Sequence, residues 1–177
     1  INLAVALSQM DKTLLIEMDL RKPAVGRDLG IKADMGLSDL LSGKTDTNVF
    51  HQVEGAPNLS VITCGTIPPN PMELISSKRF ANLLQSLRDR FTHIVIDSPP
   101  TLPVSDSCVL AKMVDATIVA VKAEETKISM AKETITRLSK VNATITGVVL
   151  TQASPQKMSY YGEHYYQDSY YGVEPSK

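Results

Sequence analysis

Thr92-His93-Ile94-Val95-Ile96-Asp97-Ser98-Pro99-Pro100 decides how the rest of the chain reads. Ile94 to Ile96 are three consecutive β-branched apolar residues, suited to a short strand buried on both faces, as in a parallel sheet. Pro99 and Pro100 end it, because proline lacks the backbone donor. Asp97 is thereby left at the carboxyl edge. Ligands of open α/β sheets bind along that edge, and an acid there suits the magnesium of a nucleotide; taken alone, an aspartate capping a turn explains the residue equally well. A second run, Thr13-Leu14-Leu15-Ile16-Glu17-Met18-Asp19-Leu20-Arg21-Lys22-Pro23, is another short apolar strand ending in acids and a proline. As parallel neighbours, the two strands would bring their acidic ends to one edge.

The 177 residues, 43% of them hydrophobic, suit one domain with a single well-buried core. A net charge of −1 with scattered basic residues provides no field for nucleic acid, and none is expected as a partner. Cys64 and Cys108 stand far apart without a second ligand pair, so the sequence suggests neither a disulfide framework nor a zinc site, and a reducing compartment is the default reading. No apolar run is long enough for a spanning helix, and the start lacks the zones of a signal peptide. Ile1 already lies inside an Ala/Leu-rich helical pattern, which reads as a chain cut within or just before a helix.

Along the chain, a helix is expected over 1–10 and a strand over 13–19. Residues 21–39 read as loop and short helix, with a helical turn at Leu37 to Leu41. The polar stretch Lys44 to Asn58 is expected to be exposed, with at most a short helix, before a second strand at Leu59 to Thr63. Gly65-Thr66-Ile67-Pro68-Pro69-Asn70-Pro71 must be a stiff loop, since three prolines in four residues remove donors and restrict their predecessors. Asn70 then caps a helix with Pro71 in its first position, and a longer helix follows over Ser77 to Arg90, with Phe80, Leu83, Leu84 and Leu87 on one face. Ser105-Asp106 is a plausible cap for a helix carrying Val109, Leu110 and Met113. A strand over Ala116 to Val121, a helix over Thr126 to Val141 with Ile128, Ala131, Ile135 and Leu138 on one face, and a strand over Ile145 to Leu150 complete the order. Strands alternating with helices predict a mainly parallel sheet covered on both sides.

The end of the chain departs from this pattern. All six tyrosines lie there in pairs, Tyr160-Tyr161, Tyr165-Tyr166 and Tyr170-Tyr171, separated by glycine, acidic and polar residues. Their spacing matches neither a strand face nor a helical stripe, and few aliphatic residues are present to offset ordering entropy, so 152–177 reads as a flexible tail after a domain over 1–151. An aromatic docking patch and a low-complexity end without a role are together as well served by this composition. Twenty flexible residues span about 25 Å root-mean-square, against a radius of gyration of roughly 16 Å for a compact domain of this length, so such a tail reaches an adjacent subunit.

These residues resemble the bacterial protein-tyrosine kinases of capsule and exopolysaccharide export (BY-kinases), whose cytoplasmic domain has a three-layer P-loop NTPase-like α/β fold related to the MinD and ParA ATPases. Leu14 to Pro23 looks like the family's Walker A′ motif, Ile94 to Pro100 like Walker B, and Ile67 to Ile75 like its proline-asparagine-proline loop and helix. The resemblance implies an ATP-dependent autokinase using Mg²⁺, with Asp19 and Asp97 on the metal and its waters, and Glu17 as the base for a tyrosine hydroxyl. It implies the six tail tyrosines as phosphoacceptors. Glu17 stands where the family usually has aspartate. Arg21 and Lys22 are candidates for contact with phosphate or a neighbouring subunit, with a solvated strand end the equal alternative. The implied partners are further copies in a ring-like homo-oligomer, a membrane polysaccharide co-polymerase domain in the same or a separate chain, and a cognate tyrosine phosphatase. The implied location is the cytoplasmic face of the bacterial inner membrane. The family's Gly-rich Walker A loop is expected immediately before Ile1, so the 177 residues alone are expected to be inactive. The rival readings are a MinD/ParA-like positioning ATPase and a non-catalytic interaction module.

Overall fold

The computed structural model describes residues 1–45 and 48–154. Each apolar run named above forms a strand, and the first one shows why. In β1 (Thr13–Glu17), period-two alternation sends Leu14 and Ile16 into one buried cluster with Leu37, Ile75, Phe80, Leu87 and Leu110. Leu15 goes to the opposite cluster, with Ala4 of α1 (Asn2–Ser8), Val25 of α2 (Val25–Asp28), Leu59 and Val61. A strand apolar on both faces thus has helices on both faces, the arrangement that a parallel sheet requires.

The main sheet has four strands in the order β2-β3-β1-β4, where β2 is His51–Val53, β3 Ala56–Ile62 and β4 His93–Asp97. β3 and β4 both run parallel to β1, in a register that sets Ile16 opposite Ile62 and Ile96, and Glu17 opposite Asp97. β5 (Thr117–Lys122) and β6 (Ile145–Thr151) form a separate parallel pair. The helices between them are α3 (Leu37–Ser42), α4 (Pro71–Ile75), α5 (Lys78–Arg88), α6 (Asp106–Ala111) and α7 (Ile128–Lys140).

Four sequence expectations are corrected. The stretch expected to be polar and exposed carries the edge strand β2 and the start of β3, joined by a turn at Gly55, with Val49 only 3% exposed. β4 is half-buried along its length instead of fully buried, because β1 is the only strand hydrogen-bonded to it among the described residues. Ile128 is exposed; Leu138 carries the buried face of α7 together with Ala111 and Val119. On the β5-β6 pair Ile118, Val148, Val149 and Leu150, which alternate between its two faces, are about half exposed, so full cover holds for the four-stranded sheet alone among the described residues. The domain boundary at 151 and the six tyrosines, Tyr160, Tyr161, Tyr165, Tyr166, Tyr170 and Tyr171, bear on residues of which 155–177 lie outside the described residues.

Candidate functional site

The parallel register carries the two acidic strand ends to one rim. Glu17 and Asp97 are direct partners, and the amide of Met18 donates to the Asp97 carbonyl at 2.7 Å, so Asp19 emerges beside Asp97 one step past the sheet. By the same alternation that places Leu15 and Val95 in the α1 cluster, Glu17 and Asp97 belong to the α1 side of the sheet.

Each acid meets a different environment. Asp97 is half-buried, and no side chain or amide among the described residues donates to its carboxylate. Burial pushes its pKa up, and the negative charges of Glu17, Asp19 and Asp28 push it in the same direction. Asp19 stands in a tight turn where its Oδ1 accepts from the amides of Arg21 at 3.1 Å and Lys22 at 2.9 Å. Glu17, expected as the base, is 1% exposed and turned inward. Its Oε1 accepts from the amides of Ala24 and Val25, each at 2.5 Å, and its Oε2 from the amide of Cys64 at 2.9 Å. Both of its oxygens are engaged by backbone amides.

Arg21, a candidate for contact with phosphate or a neighbouring subunit, lays its guanidinium on Asp106: Nε to Oδ2 at 2.8 Å and Nη2 to Oδ1 at 3.1 Å. Asp106 is 1% exposed, and the pairing raises the Arg21 pKa further. Ser105 occupies the cap position of α6 without a side-chain capping bond, so the expected Ser105-Asp106 cap is replaced by a long-range ion pair.

A second buried acid went unread in the sequence. Asp39 Oδ2 accepts from the amides of Gly36 at 3.1 Å and Thr66 at 2.9 Å, joining the start of α3 to the loop after β3. Its burial opposes charge, but the bonds from Thr66 and Gly36 and the nearby Lys44 outweigh that and hold its carboxyl below the usual range. The signal was present as Gly36-Leu37-Ser38-Asp39, an acid three residues after a cap. Beside Glu17 lies a cavity of about 160 Å³ lined also by Pro23, Gly26, Thr63, Cys64 and Gly65 among others. Cys64 is no nucleophile there, since burial first, and then the charges of Glu17, Asp39 and Asp19, push its thiol up to about 12.

Fit to a nucleotide metal was judged on the donor set. Among the described residues no three His, Cys, Asp or Glu side chains cluster as a ready-made cage. Mg²⁺ does not ask for one: it takes one or two carboxylates and completes its shell with water and phosphate. Asp97, with its like-charged neighbours and undonated carboxylate, and Asp19, with Oδ2 not engaged, are such a pair, and they fit.

Comparison with known proteins follows from this rim. No family model matches the chain. It is 35% identical over 168 residues to the putative tyrosine-protein kinase CapB of Staphylococcus aureus, which covers 94% of this chain and 74% of that protein. The chain belongs to the bacterial tyrosine-protein kinase family. Other members are much longer: the match to tyrosine-protein kinase ptk of Acinetobacter johnsonii, 32% identical, takes in 90% of this chain but 22% of that one. Among solved structures, the kinase domain of VpsO superposes with a TM-score of 0.81 at 40% identity, covering 86% of this chain and 76% of that one. The fold extends to the cell division ATPase MinD of Pyrococcus furiosus, with a TM-score of 0.69 at 23% identity over 88% of this chain and 66% of that one. Among the described residues no helix is long and apolar enough to cross a membrane.

Proposed function

We propose that the chain is the catalytic core of an ATP-dependent tyrosine autokinase, which phosphorylates the tail cluster Tyr160 to Tyr171 and thereby regulates capsule or exopolysaccharide polymerisation and export. The observation that carries this reading is the convergence of Asp19 and Asp97 at the carboxyl rim of adjacent parallel strands. Family membership supports it. Phosphoryl transfer asks little covalent chemistry of a protein; it asks that the terminal phosphoryl be held in line with an acceptor oxygen and that charge be neutralised. A bound Mg²⁺ would neutralise charge on the nucleotide phosphates. Asp19 and Asp97 are the residues to hold it.

Glu17 as proton acceptor would require its carboxylate to leave three backbone donors, and the hydrogen bonds support an anchoring role instead. Arg21, paired with Asp106, is likewise supported as a positioning group over a direct phosphate ligand. A tail of the length estimated above reaches a neighbouring subunit, and tethering within an assembly raises the effective concentration of a weak peptide substrate to the order of millimolar. The co-polymerase and phosphatase partners, and attachment at the inner membrane, belong to the same reading.

The test uses the full-length protein with ATP and Mg²⁺. Asp97→Asn is expected to lower phosphotyrosine formation at least about 100-fold. Mixed with an active protein lacking residues 155–177, that variant should become labelled on its own tail; no label would overturn transfer between subunits. Tail deletion should abolish phosphotyrosine while sparing nucleotide hydrolysis. Full label on Asp97→Asn alone would overturn the site.

A further inference from the structure

We propose that Asp106 is a positioning residue for this site, acting through Arg21 to fix Asp19 relative to Asp97; the inference rests on the phosphotransfer reading above. Its basis is a closed ring of contacts. From Asp97 the chain runs through Ser98 to Pro99, whose carbonyl accepts from the Ser107 hydroxyl in the first turn of α6. Beside Ser107, Asp106 takes the Arg21 guanidinium in a two-bonded fork. The amides of Arg21 and Lys22 in turn fix Oδ1 of Asp19, and the Met18 amide returns to the Asp97 carbonyl. Asp19 and Asp97 are thus joined twice, once through the β1-β4 ladder and once through α6.

The choice of partner argues against a plain helix cap. Asp106 stands at the first helical position, where an acid suits the helix dipole at any orientation, yet both its oxygens are directed to a residue 85 positions away. Two parallel N–H bonds to a carboxylate specify direction as well as charge, which lysine cannot reproduce. A half-buried ion pair is weak evidence for stability, since desolvation offsets its attraction, and its fixed fork suits a role in holding one geometry. Here the geometry held is the spacing of the two carboxylates that would hold a cation.

Full-length Arg21→Lys and Asp106→Asn proteins test this, with Asp97→Asn as control. The first readout is amide exchange without nucleotide or metal. A peptide covering residues 19–23 should exchange faster in both variants, while one covering 60–66, where Glu17 holds the Cys64 amide and Asp39 the Thr66 amide, should match the parent. The second is the Mg²⁺ concentration for half-maximal phosphotyrosine formation, expected to rise about tenfold, as for a group that orients a metal ligand. The double variant should be no worse than either single, because both break one pair. Parental exchange over 19–23 with parental Mg²⁺ dependence in the folded Arg21→Lys protein would overturn the proposal, as would additive effects. Should Asp106→Asn fail to fold, Arg21→Lys decides. Full activity in Asp97→Asn would instead overturn the underlying site reading.

Discussion

Glu17 illustrates how one strand-end acid can serve its neighbours' backbone. A charged acceptor among amides with no other partner is held by what its loss would expose: the N–H groups of Ala24, Val25 and Cys64. Each buried donor left unpaired costs about 1–3 kcal/mol, so Glu17→Ala is expected to destabilise the protein by about 3 kcal/mol or more, read as a lower urea midpoint. Glu17→Asp keeps the charge but is one methylene shorter, and should fall between the two. Asp39 and Asp97 respond to pH in opposite senses. With its folded pKa depressed, Asp39 contributes stability that is complete above the ordinary aspartate range, about pH 4, and is lost as pH falls below it. Asp97, its folded pKa raised, weakens the fold as pH rises from that ordinary range through its folded value. Denaturation midpoints between about pH 3 and pH 7 should therefore show a shallower acid-side fall in Asp39→Asn, and rise at neutral pH in Asp97→Asn relative to the parent.

Elements differ in how openly the sequence announced them. β1 and β4 were legible because short continuous apolar runs closed by acids and prolines suit strands buried on both faces, and α5 because Phe80, Leu84 and Leu87 recur on one helical face; the Ser77 cap, accepting from the Phe80 amide at 3.1 Å, went unread. β2 was not, since an edge strand of His51, Gln52 and Val53 buries little and shows no alternation to read. The site divided along the same line. Acids at strand ends were visible in one dimension, whereas the partners of Glu17, Arg21 and Asp39 lie 3 to 85 residues away, and all but Gly36 depend on the folded loops. The loop after β3 shows this dependence best. Gly65, at φ +74°, packs so closely that a Cβ would overlap Asp39 Oδ2 and the backbone of Gly36, while Gly55, at φ +76°, has open space around it. Left-handed backbone costs a non-glycine residue about 1–2 kcal/mol, and a forced overlap adds about 1–3 kcal/mol. Gly65→Ala is expected to lower the urea midpoint well beyond Gly55→Ala; equal effects would mean that the Asp39 junction yields freely.

At the scale of the whole molecule, charge is the property most open to change. The chain carries a formal −1, too little to steer or repel anything over distance. Six tyrosines in a twelve-residue span change that once modified, because each phosphate adds about −1.5 to −2 at neutral pH, or roughly −9 to −12 for the full cluster. In the ring-like homo-oligomer that the family resemblance implies, these charges would converge from every subunit. Repulsion between them falls off over a Debye length of about 8–10 Å at physiological salt, so it acts where tails crowd one another and hardly at all between separated subunits. Phosphorylation should therefore loosen the full-length assembly, and added salt should restore it by screening. Sedimentation of the modified and unmodified protein in low and high salt checks both expectations. A smaller species on modification, reverting at high salt, is the expected outcome; identical sedimentation of the two forms at low salt would show that tail charge does not govern assembly.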